Sequence, residues 1–291
     1  MPLRVWIVAS LLLLARCAWA AGGDSDSKSF ILAPTYLADE QPTSAPGSEE
    51  ESDADLANKT LNPVADLISV PFQYNADFNI GPKDATRQVL NIQPVIPIAL
   101  NQDWNLITRT IVPLIHIDSV ANGVDSKSGL GDITQSFFFS PKKPTANGWT
   151  WGVGPVFYWP TGTDGLSARK WGMGPTAVVL KQANGWTYGM LVNHIWSYAG
   201  SNSTRNINAT FLQPFISYTF KTYTSITLQT ETTYDWDAGQ ATVPINLLMS
   251  QILRIGKQLV SIQVGPRYYV EGPSGNADWG FRFNLTFLFP K

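Results

Sequence analysis

Few residues in this 291-residue chain have the types needed for covalent or metal chemistry. Its two histidines are His116 and His194, and its single cysteine is Cys17. A histidine beside a serine and an asparagine could run ester hydrolysis, with the imidazole as general base for the hydroxyl. Asn193 and Ser197 flank His194. In an extended chain, however, alternate side chains point to opposite faces, so both point away from it. The loop acids Asp118, Asp125, Asp235 and Asp237 lack the dense oxygen-ligand spacing of a calcium loop. No phosphate-cradling glycine loop and no basic nucleic-acid patch is present, and the net charge is −2. The expectation is a protein without catalytic residues, metal or cofactor, and with no nucleic-acid partner.

What remains is a set of charges embedded in alternating segments: Asp77, Arg109, Asp132, Glu231, Arg267 and Arg282. Gln73, Asn75, Gln93, Gln213, Gln229, Gln263 and Asn284 share their face by parity. Two uses fit. One is a packed network with Arg109, Arg267 and Arg282 paired to Glu231, Asp77 and Asp132, because buried charges are normally paired. The other is the lining of a narrow polar pore. Both stay open at the level of sequence.

The elements that position these charges are strands. From Leu67 to the C-terminus the chain alternates with period two, giving one apolar and one polar face. Ile68, Val70, Phe72 and Tyr74 oppose Ser69, Gln73, Asn75 and Asp77. Near the end, Phe281, Phe283, Leu285, Phe287 and Phe289 oppose Arg282, Asn284 and Thr286. Between these two segments lie ten more, near 88–100, 104–117, 131–140, 149–160, 171–181, 186–198, 208–220, 223–234, 241–252 and 259–270. Most have the length of a tilted membrane-crossing strand, and their connections alternate short and long. Charged residues are 14% of the chain, against about 25% for a soluble protein, while aromatics reach 12%. Trp104, Trp149, Trp186, Tyr223 and Phe289 fall at one set of strand ends. Trp159, Trp171, Trp196, Tyr198, Tyr234, Trp236 and Trp279 fall at the other, as two membrane interfaces require. The fold expected is all-β, a transmembrane antiparallel β-barrel of about 12 strands over residues 67–291. Charges on its lipid side would cost roughly 2–4 kcal/mol each near the midplane, so the lumen is their place. By parity both histidines face lipid near outer strand ends. Prolines such as Pro71, Pro94, Pro113, Pro155, Pro175 and Pro244 lie inside strands and predict bulges, since proline donates nothing to the ladder.

Residues 1–20 read as a signal peptide, with Arg4, an apolar stretch over Val5–Leu14 and the small-x-small site Ala18-Trp19-Ala20. Residues 21–57 are rich in Ser, Pro, Gly and acid and are expected to form a disordered periplasmic segment. Residues 58–66 are expected to be a short helix or linker, with a helix over Ala54–Leu61 ended by Asn62-Pro63 and able to sit under the lumen as a plug. Residues 21–66 carry ten acids and two bases, and 67–291 twelve acids and sixteen bases. That opposition would draw the tail to the lumen arginines, unless the tail is simply free.

Asn62-Pro63-Val64-Ala65-Asp66-Leu67-Ile68-Ser69-Val70-Pro71-Phe72-Gln73 resembles the opening of a bacterial family of outer-membrane transporters named for the meta pathway of phenol degradation. Gly129-Leu130-Gly131-Asp132, Gly154-Pro155, Pro160-Thr161-Gly162-Thr163 and Lys170-Trp171-Gly172-Met173-Gly174-Pro175 resemble its further motifs. The resemblance implies an outer-membrane channel or transporter for small, aromatic or hydrophobic solutes. It supplies no binding residues. Alternatives are a non-conducting structural or adhesive barrel and a lipid-modifying enzyme. The partners expected are outer-membrane lipids, the barrel-assembly machinery and a small-molecule solute.

Overall fold

The computed structural model describes residues 59–256 and 258–289. The expected leader, the acidic segment 21–57 and most of the expected helix lie outside these residues. Among the described residues the chain forms one closed antiparallel barrel of 12 strands. They are β1 (Ile68–Ile80), β2 (Ala85–Ile92 continuing as Val95–Ala99), β3 (Trp104–Ile117) and β4 (Lys127–Leu130 continuing as Ile133–Pro141). Then follow β5 (Trp149–Trp159), β6 (Lys170–Ala183), β7 (Trp186–Gly200) and β8 (Asn208–Thr219). The last are β9 (Thr224–Thr230 continuing as Thr232–Asp235), β10 (Gln240–Ile255), β11 (Gln258–Glu271) and β12 (Trp279–Phe289). Each strand pairs with its sequence neighbours, and β1 closes on β12 from Ile68↔Phe289 to Phe78↔Trp279. No edge is left unpaired, which a lipid environment demands.

The barrel is apolar on the outside. Phe139, Val153, Met173, Met190, Leu228, Leu247, Met249 and Phe283 are all exposed, whereas Asn75, Asp77, Asn246 and Arg282 are buried. Such a surface is stable only against hydrocarbon. The chain is therefore an outer-membrane β-barrel. The turns on the side of the chain termini are mostly the shorter ones, as at periplasmic ends. Asn184 and Gly185 join β6 to β7 with φ of 52° and 80°, the two positive values a two-residue primed turn needs.

The prolines behave in two ways. Pro94 interrupts β2, Gly131-Asp132 interrupts β4 opposite Pro113, and Glu231 interrupts β9 opposite Pro244, so those three sites are the expected irregularities. Pro155 and Pro175 instead face each other in register across β5 and β6. Each follows a glycine. A Cβ on Gly154 would overlap the Phe137 carbonyl, and one on Gly174 the His194 carbonyl. The Gly-Pro pairs thus let neighbouring strands approach closely without a bulge.

Candidate functional site: the charged lumen and its plug

The register of β11, β12 and β1 assembles most of the predicted charges. Asp77 and Arg267 lie on opposite sides of Gly280, and Arg282 lies between Asn75 and Gly265. Each arginine thus reaches across a position without a side chain. Arg282 donates through Nε to Asn75 Oδ1 at 2.7 Å and through both terminal nitrogens to Glu231, at 2.8 and 2.6 Å. This is the bidentate fork that makes Arg–carboxylate pairs strong. Arg267 approaches Glu231 at 3.4 Å and Asp77 at 3.9 Å, and donates to Asn75 Oδ1 at 3.2 Å. Glu231 comes from three strands away along the wall. Its break in β9 is held by a backbone bond to the Pro244 carbonyl.

Two predicted residues stand elsewhere. Among the described residues Arg109 has no carboxylate within ion-pair distance; its Nη2 donates to Gln93 Oε1 at 2.7 Å. Among the described residues Asp132 pairs with no arginine. Its carboxylate accepts from the Gly162 amide at 2.9 Å, the Ser167 hydroxyl at 2.7 Å and the Ala168 amide at 2.6 Å. The break at Gly131-Asp132 turns it toward the outer loop after β5, so it latches that loop to β4. The pairing expected for Arg109 and Asp132 is therefore corrected, because register sets Arg109 beside Gln93 and Asp132 beside the loop. Replacing Asp132 with alanine should free the loop, leaving three donors without their acceptor. The expected result is faster proteolysis within 161–169 in the folded barrel, read by limited digestion.

Arg87 was missed, because the sequence suggested a loop up to that residue. It belongs to β2, directly opposite Asp77, and pairs with it at 3.0 Å. The signal was its placement in the run Arg87-Gln88-Val89-Leu90-Asn91, which keeps parity with Asn91. In all, the guanidiniums of Arg87, Arg109, Arg267 and Arg282 share the lumen with the carboxylates of Asp77 and Glu231, and these six groups together carry a net charge of +2.

Below the charges the lumen carries two apolar patches among buried Ser and Thr side chains, and the segment 59–67 packs on them. Lys59 and Thr60 are helical. Asn62 then closes a turn, its side chain accepting the Val64 amide at 3.0 Å and its backbone carbonyl accepting from Ala65. Val64, 5% exposed, packs with Ile107, Phe138, Val178, Leu180 and Leu191. Ala65 and Leu67 pack with Leu259 and Leu288. Val64, Ala65 and Leu67 are thus seated inside the barrel, while most of the helix expected over Ala54–Leu61 lies outside the described residues. Above residues 59–67 lies a cavity of about 200 Å³ whose walls include Gln73, Gln93, Arg109, Gln213, Gln263 and Asn284.

The histidines sit outside this lumen. His194 shares Thr210 Oγ1 with Trp236 and lies against Trp196 on the lipid face, while the Ser197 hydroxyl accepts the Ile207 amide. His116 touches Ser128 Oγ at 2.6 Å and Asp118 at 3.2 Å on the exposed outer rim. Among the described residues no cluster of metal-ligating side chains occurs.

Residues 84–244 match the family model described as "Putative MetA-pathway of phenol degradation". The chain belongs to this family. Its barrel is similar to a solved outer-membrane channel from Pseudomonas putida F1, with 16% identity, a TM-score of 0.61, and 77% of this chain and 94% of that one covered. The NanC porin is more distant, with 9% identity and a TM-score of 0.47 over 77% of this chain and 100% of that one. Phospholipase A from Escherichia coli gives 13% identity and 0.44 over 82% and 98%. No curated protein matches in sequence. The family match begins at residue 84, so it includes the Asp132 latch, Arg109 and Glu231 but not the plug.

Proposed function

We propose that this family member is a narrow outer-membrane channel for small solutes that favours anions and rests with its periplasmic end closed by residues 59–67. The observation that carries the reading is the excess of guanidinium over carboxylate inside a wall whose outer face is apolar. A fixed positive layer in a confined, low-dielectric passage raises the local concentration of anions and repels cations. Asp77, Arg87, Arg109, Glu231, Arg267 and Arg282 act as the lining of that layer, and Asp132 acts on the outer loop. The sequence resemblance to a family of outer-membrane transporters supports the same role.

The test is ion selectivity in planar bilayers under a tenfold KCl gradient. Protein opened by Val64→Asp should show a reversal potential on the chloride side, and Arg109→Gln in that background should move it toward zero. A potassium-side potential would sink the anion reading.

A non-conducting structural barrel is the second reading, favoured by the burial of Val64, Ala65 and Leu67 in the mouth. Absence of current from both wild type and Val64→Asp would establish it in place of the channel.

A further inference from the structure

We infer that the cavity above the plug is a binding site for a small monocarboxylate with a compact apolar or aromatic body. This rests on the channel reading and names the solute class that the lumen holds. The first observation is Arg109. Its guanidinium lies beside the cavity, and its hydrogen-bond partner is the neutral Gln93 carboxamide at 2.7 Å. Arg87, Arg267 and Arg282 each reach a carboxylate within 4 Å. A guanidinium in a desolvated place is matched best by a planar carboxylate, which can accept two of its N–H groups at once. Both acids of the layer are already engaged, Glu231 by Arg282 and Arg267, and Asp77 by Arg87.

The walls suit the remainder of such a molecule. Gln73, Gln213, Gln263 and Asn284 present carboxamides, which can donate or accept as required. The floor is the plug, where Lys59, Thr60 and Asn62 lie beside Leu61, Pro63, Ala65 and Leu67, and Val95 and Phe215 add an apolar patch to the wall. The ligand's carboxylate would lie at Arg109 and its body on this floor, against the Phe215 ring. A volume of about 200 Å³ lies below the roughly 300 Å³ at which sites for drug-sized molecules begin, which confines the class to small acids.

Benzoate is the probe. Calorimetric titration of the full-length mature protein in detergent should show saturable benzoate binding. Benzamide, the same shape without charge, should bind at least tenfold more weakly, and so should potassium chloride. Arg109→Gln, checked for heat-modifiable gel migration, should lower benzoate affinity at least tenfold. Equal binding of benzoate and benzamide to wild type would overturn the inference without any variant having to fold. Conductance without benzoate binding would overturn the site and leave the channel standing. Benzoate binding without conductance in wild type or Val64→Asp would retain the site and remove the channel.

Discussion

Replacing Val64 with aspartate should raise the mean current through the barrel at least tenfold. Val64 is seated among Ile107, Phe138, Val178, Leu180 and Leu191. Burying one such side chain stabilises the plugged state by about 1.5–3 kcal/mol. The substitution removes that gain. It also places a carboxylate in an apolar pocket, at a cost of several kcal/mol unless the plug withdraws. Together these exceed about 4 kcal/mol, which is on the order of a thousandfold in the closing equilibrium. The barrel itself should survive, because Val64 precedes β1 and takes no part in its ladder. Single-channel recording checks the result, and Val64→Ile is the matched control that keeps the seat filled. Equal current from Val64→Asp and wild type would mean that the segment does not limit the passage.

The largest effect on stability should come from Glu231→Gln. Arg282 is 1% exposed, and both of its terminal nitrogens donate to the Glu231 carboxylate. Arg267 depends on the same oxygen. Removing the charge leaves two guanidiniums short of their counter-ion. Breaking one partner of a buried pair costs about 3–5 kcal/mol. The exposed pair Arg205–Asp235, with side chains 68% and 40% exposed, offers the contrast. Arg205→Ala there should cost about 0–1 kcal/mol. Urea-unfolding midpoints of the detergent-folded barrels measure both. The double variant Glu231→Gln with Arg282→Met should recover part of the loss, because it removes the stranded charge as well. If Glu231→Gln unfolds at the wild-type urea concentration, water rather than Glu231 compensates these arginines, and the layer is open to solvent.

Much of the architecture was legible in the chain because a membrane barrel writes its constraint into every second residue. Phe281, Phe283 and Phe287 face lipid and Arg282, Asn284 and Thr286 face inward wherever that strand sits. Parity alone therefore placed Asp77, Arg109, Glu231, Arg267 and Arg282 in the lumen, and strand lengths with alternating connections supplied the count. What parity cannot contain is register. Whether Arg282 meets Glu231 depends on Gly265 and Gly280 falling beside the two arginines across three strands, and that is fixed only when the sheet closes on itself. Asp132 shows the same limit. Its inward parity was readable, but the break at Gly131-Asp132 sends it to the backbone amides of a loop thirty and more residues later in the chain. The plug was only half readable. Asn62-Pro63 announced a turn, yet the apolar seat for Val64 is made by inward-facing Ile107, Phe138, Leu180 and Leu191 from four different strands. In the sequence those residues look like departures from a polar lumen. Closure of the barrel brings them to one level, and only there do they become a surface that a short apolar segment can fill.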